Sequence, residues 1–315
     1  LKKIALVVAS LLAVGGISGF IVFLVLYIGE VGHVHTVSRE RDEMKRKLAL
    51  VELAGNVPEI FNKENCARRV FVSHSDGNAD MFGVAPVDVS LTTKGFTLIV
   101  YLHGMGSSFY EPFFFPKHKP FGPQLLLRDK NAILLSCNYR SSASWGTDPA
   151  LADITQNIRE LCEQYPVAKI VLAGTSMGGC TSLNYAATCP DDIKARLVGI
   201  VSVEGAGDLA GLFHKTNRPE IQQAMITAFG GTPEQVPSVY SGKSFLSNIK
   251  GLPKSVRVCV VTASRDTIIV PEFQAQIAQA LDANGISNKV LNVNTTHGVL
   301  PAEVMCEAMD YACPL

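Results

Sequence analysis

One short segment of the sequence carries the residue types that a nucleophile needs. Lys169-Ile-Val-Leu-Ala-Gly174-Thr175-Ser176-Met177-Gly178-Gly179 runs from an apolar, strand-like stretch through Gly-x-Ser-x-Gly into a helical pattern. That context suits a strained strand-to-helix turn, which lifts a serine hydroxyl beyond the strand ends. Small residues two before and two after the serine let the backbone fold that tightly. The helix starting at Met177 directs its positive end at the same place. Gly-x-Ser-x-Gly alone recurs by chance, and its ordinary reading is a glycine-rich turn. The strand before it and the helix after it favour the nucleophile.

A serine hydroxyl is a weak nucleophile without a base. Where such a turn supplies the serine, the partners follow along the chain as acid and then histidine. His297 is the last of seven histidines, follows the final strand-like run and precedes Gly298. The acid should lie between, in a loop after a strand. Asp266, just past Val258-Cys-Val-Val-Thr262, fits better than Asp208, which also follows a strand, and Asp282 falls within a helical pattern as a solvated residue. A carboxylate there would fix the imidazole tautomer and stabilise the imidazolium. The developing oxyanion also needs backbone donors. The N–H of Met177 is one candidate. The second is the N–H of Met105, with Gly104 as the alternative, in Leu98-Ile-Val-Tyr-Leu-His103-Gly104-Met105-Gly106. His103 then shapes that loop and does not carry protons.

These residues need strands to hold them. Thr97–Leu102, Ala132–Cys137, Lys169–Ala173, Leu197–Val203 and Val256–Thr262 are short runs rich in Val, Ile and Leu. Strands buried on both faces of a parallel sheet read this way. Lys289–Val293 reads as a last strand, and Val84–Leu91 alternates like an early antiparallel one. Helical spacing marks Leu151–Gln164, Met177–Thr188, Glu272–Asn284, which stops at Gly285, and Val299–Tyr311. Alternation with short links implies an α/β fold, a mostly parallel central sheet with helices on both faces. Pro219–Leu252 reads as a small cap between two strands. Phe109-Tyr-Glu-Pro-Phe113-Phe114-Phe115-Pro116 could line an acyl pocket, touch lipid or pack the next helix on the sheet.

Taken together, His103-Gly104, Gly174-Thr-Ser176-Met-Gly178-Gly179, Ala263-Ser-Arg-Asp266-Thr-Ile-Ile-Val270-Pro271 and His297-Gly298 resemble the α/β-hydrolase superfamily. The pattern is similar to the catalytic domain of prolyl oligopeptidase-type serine hydrolases and related esterases. Asn138-Tyr139-Arg140, Trp145-Gly146 and the stretch from Asp148 to Asp153 add to that likeness, which extends from about Phe96 to the C-terminus. The resemblance implies an α/β-hydrolase fold and a serine hydrolase with a Ser176-Asp266-His297 triad, needing no cofactor or metal. These residues leave no room for the β-propeller of many prolyl oligopeptidases. Nor is there a glutamate-rich motif to grip a peptide amino terminus. An ester is therefore the first expectation for the substrate and a peptide the second. A membrane-tethered binding protein on a degenerate hydrolase fold is the rival from another class. It would be favoured by loss of Ser, His or the oxyanion glycine, all of which are present.

The 315 residues include 47% apolar and 18% charged residues, with 28 basic against 28 acidic. That balance gives no electrostatic reason for a nucleic-acid partner. The globular part lacks His-x-x-x-His and Cys-x-x-Cys spacings, which argues against structural zinc. Of eight cysteines, Cys137, Cys180 and Cys259 read as small buried thiols. Cys66, Cys162, Cys189, Cys306 and Cys313 could pair in an oxidising compartment. Cys306 and Cys313, about 10 Å apart on one helix, could not pair with each other.

Lys2-Lys3 precede an uncharged run, Ile4–Ile28. At ~1.5 Å per residue it is long enough to span a bilayer, so residues 1–29 read as a transmembrane anchor. A cleaved signal peptide is the alternative. Residues 30–57 read as a charged helical stalk broken at Gly55–Pro58, and 58–315 as the catalytic domain. Lys2-Lys3 favour a cytoplasmic N-terminus and an extracytoplasmic domain, although Arg39, Arg41, Lys45, Arg46 and Lys47 pull the other way. Asn294-Thr-Thr296 is a formal glycosylation acceptor, read as a chance match beside His297.

Overall fold

Every residue of Phe96–Leu102 is buried, as an apolar strand with helices on both sides requires. This strand lies inside an eight-stranded sheet in the computed structural model, which describes residues 66–86, 95–113 and 121–314. The strands are β1 (Ala67–Val72), β2 (Ala79–Ala85), β3 (Phe96–Leu102), β4 (Ala132–Cys137), β5 (Val167–Thr175), β6 (Leu197–Val203), β7 (Arg257–Ala263) and β8 (Asn288–Val293). Their order is β1-β2-β4-β3-β5-β6-β7-β8. β2 runs antiparallel to both β1 and β4, and all pairs from β4 to β8 are parallel.

Ten α-helical segments are described: α1 (Gly122–Arg128), α2 (Asp148–Gln164), α3 (Met177–Thr188), α4 (Asp191–Lys194), α5 (Leu209–Lys215), α6 (Pro219–Phe229), α7 (Pro237–Lys243), α8 (Phe245–Asn248), α9 (Pro271–Ala283) and α10 (Ala302–Ala312). Proline opens α6, α7 and α9 at the first turn, where its missing N–H costs nothing. In α2, Ile154, Ile158 and Leu161 form one buried stripe at helical spacing. α3 is buried from Met177 through Ala187, and its glycines bring it close to the sheet.

Two cores result. One joins α2, α3, α9 and the helices α5–α8 to one sheet face through Ile154, Leu183, Phe245 and Ile277. The other joins α1 and α10 to the opposite face through Leu125, Met305 and Met309. Burying each such large side chain is worth about 1.5–3 kcal/mol. The strand order reverses beside β3, and α/β ligand sites lie beyond the carboxyl ends of strands at such a point.

Three expectations need correction. The early antiparallel strand is Ala79–Ala85, five residues before the expected start at Val84. Pro86 has no N–H to continue the ladder, and the rest of the expected segment, 87–91, lies outside the described residues. The last helix starts at Ala302, because Gly298 takes a φ of 73° and Pro301 occupies the cap. All eight cysteines are free, seven of them buried, so none of the five candidates pairs. The apolar run Ile4–Ile28, the stalk and the boundaries at 29 and 57 lie outside the described residues. Among the described residues no helix is long and apolar enough to cross a membrane.

Candidate active site

The sheet delivers its strand ends to one edge. Leu102 pairs with Gly174, Gly174 with Ser202 and Ala263 with Val293, so β3, β5, β6, β7 and β8 all stop there. Non-glycine residues with positive φ cluster in the loops leaving this edge: Tyr139, Arg140, Trp145, Ser176 and Glu204. Such strain persists only where surrounding contacts over-determine it, and it gathers at functional sites.

Ser176 caps α3 with φ 55° and ψ −118°. Its N–H donates to the carbonyl of Val203 at 2.8 Å, which ties the turn to the end of β6. The flanking glycines are required by close approach. A Cβ on Gly174 would collide with the backbone of Gly178, and one on Gly178 with the carbonyls of Leu102 and His103. The half-buried Ser176 hydroxyl lies 2.9 Å from Nε2 of His297.

His297 stands in the loop after β8. Its Nδ1 lies 2.6 Å from Oδ2 of Asp266, which follows β7 and is fully buried by side chain. The other Asp266 oxygen accepts the N–H groups of Ile268 and Ile269 at 2.8 and 3.0 Å, so the carboxylate is fixed in place. Burial alone would push the imidazole down. The hydrogen bond to Asp266 and the charges of Glu204 and Asp266 together outweigh it and raise His297 above its ordinary value. Asp208, the other candidate acid, stands at the N-cap position of α5 and is not among the charged groups acting on His297.

Opposite the hydroxyl, the loop after β3 is pinned from three sides. Buried Glu111 accepts the Gly104 N–H at 3.0 Å and the Tyr101 hydroxyl. Tyr139 donates to the His103 carbonyl at 2.6 Å, and the Gly106 N–H to the Ser142 carbonyl at 2.7 Å. Gly104 is thus engaged inward. Among the described residues the N–H groups of Met105 and Met177 reach no protein acceptor. The buried Met177 side chain accepts the Trp145 N–H on sulfur at 3.3 Å. His103 is buried, its ring nitrogens facing the carbonyls of Gly104 and Asn138, and burial lowers its pKa. Phe109 and Phe113 are buried against α1 and the sheet, and residues 114–116 lie outside the described ones.

Sequence reasoning missed two carboxylates. Glu111 hides in an aromatic run whose rings drew the attention. Glu204 directly follows β6, a position equivalent to the approach used for Asp266, and that was the available signal. It is buried, its Oε2 accepts the Gly298 N–H at 2.6 Å, and the same oxygen lies 3.4 Å from Nδ1 of His297. Burial raises its pKa, against the lowering effect of the imidazole. Glu204, Asp266 and His297 offer ligand atoms within 4.8 Å of one another, but a cation there would have to displace the Nδ1–Asp266 hydrogen bond.

Hydroxyl, imidazole and carboxylate joined in one hydrogen-bonded line can perform acyl transfer. Residues 97–243 match the model of the alpha/beta hydrolase fold family. The chain has the α/β-hydrolase fold. Among solved α/β-hydrolases it is similar to a fluorophosphonate-binding serine hydrolase of Staphylococcus aureus, with a TM-score of 0.61 at 11% identity over 78% of this chain and 97% of that one. It is also similar to the Pyrococcus horikoshii acylaminoacyl peptidase, with a TM-score of 0.59, 16% identity, and coverage of 80% of this chain but 43% of that one. A puromycin-hydrolysing peptidase of Mycobacterium tuberculosis gives a TM-score of 0.59, 16% identity, and coverage of 81% and 39%. At these identities the superpositions show a shared fold alone, and this chain spans less than half the length of either peptidase. No curated protein matches it by sequence.

Proposed function

We propose that this chain is a serine hydrolase that cleaves carboxylic esters through an acyl-enzyme. Ser176 is the nucleophile, His297 the general base and then acid, and Asp266 the residue that orients and stabilises the imidazole. The N–H groups of Met105 and Met177 form the oxyanion hole. The observation that carries this reading is the unbroken line from the Ser176 hydroxyl through both ring nitrogens of His297 to Asp266.

In the first half-reaction the Ser176 oxygen attacks the ester carbonyl carbon as its proton passes to Nε2 of His297. The carbonyl oxygen gains negative charge, which the two N–H groups stabilise. Collapse of the tetrahedral species breaks the bond to the alcohol, which leaves with the proton from Nε2. Water then attacks the acyl-serine, gives a proton to the same nitrogen, and the acid departs as Ser176 recovers its hydrogen. The imidazolium is charged only between these steps, when Asp266 has most effect.

An ester is our first reading because the match covers 97% of the fluorophosphonate-binding serine hydrolase but only 43% and 39% of the two peptidases. Peptide hydrolysis remains the second reading, supported by those same peptidase folds. We also read Ile4–Ile28 as a membrane anchor that leaves the catalytic domain outside the cytoplasm.

The test is a fluorophosphonate probe applied to the 315-residue chain and to Ser176→Ala, followed by matched ester and peptide substrates. Labelling of the wild type alone is expected, with turnover of esters exceeding that of amides. A folded wild type that takes no label refutes the reading.

A further inference from the structure

Glu204 occupies a position that a structural residue has little reason to hold. It is not a glycine, yet its φ is 51°. Its N–H donates to the Val261 carbonyl at 2.9 Å, Gln274 donates to the Gly205 carbonyl at 2.8 Å, and the Ala206 N–H meets the Cys180 sulfur at 3.1 Å. These contacts hold the strained residue in place from both sides. Its side chain is 1% exposed, and its Oε1 is buried without a hydrogen-bond partner. A buried carboxylate that is not fully paired is costly, and a glutamine or an apolar side chain would avoid that cost.

The charged groups facing His297 are Glu204, Asp266 and Arg218, beside the Ser176 hydroxyl. Arg218 opposes the positive imidazole, and the two carboxylates favour it. Glu204 therefore has its full electrostatic partner only while His297 holds the serine or water proton. An interaction stronger in that state than in the resting enzyme accelerates the reaction. Its second contact, the Gly298 N–H at 2.6 Å, fixes the residue after the histidine and so the loop that carries the imidazole.

We infer that Glu204 is a second positioning residue for His297, which clamps its loop through Gly298, adds its charge to that of Asp266 when the imidazole is protonated, and sustains the base when Asp266 is removed. This rests on the reading of His297 as the base. No proton leaves Nδ1 in this scheme. The proton from serine or water sits on Nε2, and both carboxylates stay acceptors.

Four proteins test it: the wild type, Glu204→Gln, Asp266→Ala and the double variant, each full-length. Each is followed by the rate of fluorophosphonate labelling against pH. Glu204→Gln should slow labelling about ten-fold, equivalent to ~1.4 kcal/mol of transition-state stabilisation. It should also move the acid limb to lower pH, because losing a negative charge lowers the imidazole pKa. Asp266→Ala should keep measurable labelling, and adding Glu204→Gln should then cost clearly more than it does alone. An unchanged acid limb with the same fractional loss in both backgrounds overturns the inference.

A second measurement needs no change at Glu204. The His297 ring is titrated by NMR in Asp266→Ala. A value still above the ordinary ~6.5 supports Glu204 as its partner, and one at or below it does not. Ser176→Ala separates this idea from the reading beneath it. If that variant labels like wild type, the nucleophile assignment fails. The NMR titration of His297 reports on Glu204 in either case.

Discussion

Gly178 lies against the main-chain carbonyl of Leu102, so close that a methyl group there would overlap its oxygen and carbon. The contact joins the first turn of α3 to the end of β3, and hence the Ser176 turn to the loop carrying Met105. Gly178→Ala should lower stability by about 1–3 kcal/mol through overpacking. It should also cut fluorophosphonate labelling on the order of 100-fold, because a shift near 1 Å at a reacting group has that effect. Gly242 in α7 serves as the control, since a Cβ added there would meet no heavy atom within 4 Å. Gly242→Ala should change stability by no more than about 1 kcal/mol and favour the helix. Urea unfolding and labelling rates on the two variants check the contrast. Equal behaviour would mean the β3–α3 approach is not what fixes the turn.

Glu111 joins the Gly104 N–H to the Tyr101 hydroxyl in the interior. Glu111→Leu leaves both groups without that partner, and each buried unpaired group costs about 1–3 kcal/mol. Tyr101 retains Thr175 at 3.0 Å, so most of the loss should come from Gly104. A freed Gly104 peptide can rotate, which should slow labelling more than it lowers the melting temperature. Glu111→Gln can still accept from Gly104 and donate to Tyr101 and should stay close to wild type. Equal damage from both variants would assign the effect to charge instead of to loop geometry.

The parts of this protein visible in its sequence are those set by local pattern. β4 and β6 and the helix Met177–Thr188 fall on the expected residues, because continuous Val/Ile/Leu runs and a glycine-flanked serine mark their own limits. Ser176, Asp266 and His297 meet as their order along the chain suggested. Glu111 was not legible, and Glu204 was legible only through its place directly after β6. Each is defined by a partner distant in sequence or by burial, and a lone glutamate after a strand or among phenylalanines reads as solvated. The shift of β2 has the same origin: Ala79–Ala85 is held by pairing with β1 and β4, and tertiary pairing overrides the alternation at Val84–Leu91.

Arg140 ties the loop after β4 to the β1–β2 hairpin. Its guanidinium reaches Asp153, whose side chain is fully buried, and Asp76, while its N–H donates to Asp80 at 2.8 Å. Asp153→Ala breaks the buried pair and should cost about 3 kcal/mol, the low end of such losses because Asp76 remains. Arg140→Lys should also destabilise, since one ammonium cannot reach both carboxylates with the geometry of a planar fork. Chemical denaturation measures both. A loss below ~1 kcal/mol for Asp153→Ala would show that Asp76 alone holds the arginine.

With His297 as the proposed base, its raised pKa should link activity to pH. Only the neutral imidazole can accept the serine proton, so kcat/KM should fall as pH drops, with its midpoint above the ordinary ~6.5 of a free histidine. Stability runs the other way. A group whose folded pKa exceeds its unfolded value stabilises the fold fully below the unfolded pKa. That contribution is lost as pH rises through the folded value. Between these two values the protein should gain activity while giving up the His297 share of its stability. Ester turnover and urea midpoints measured from pH 5 to 9 should show the two trends crossing. In His297→Gln the urea midpoints should lose their share of the dependence across that window. An activity midpoint at or below 6.5 would mean that burial, and not the two carboxylates, governs the imidazole.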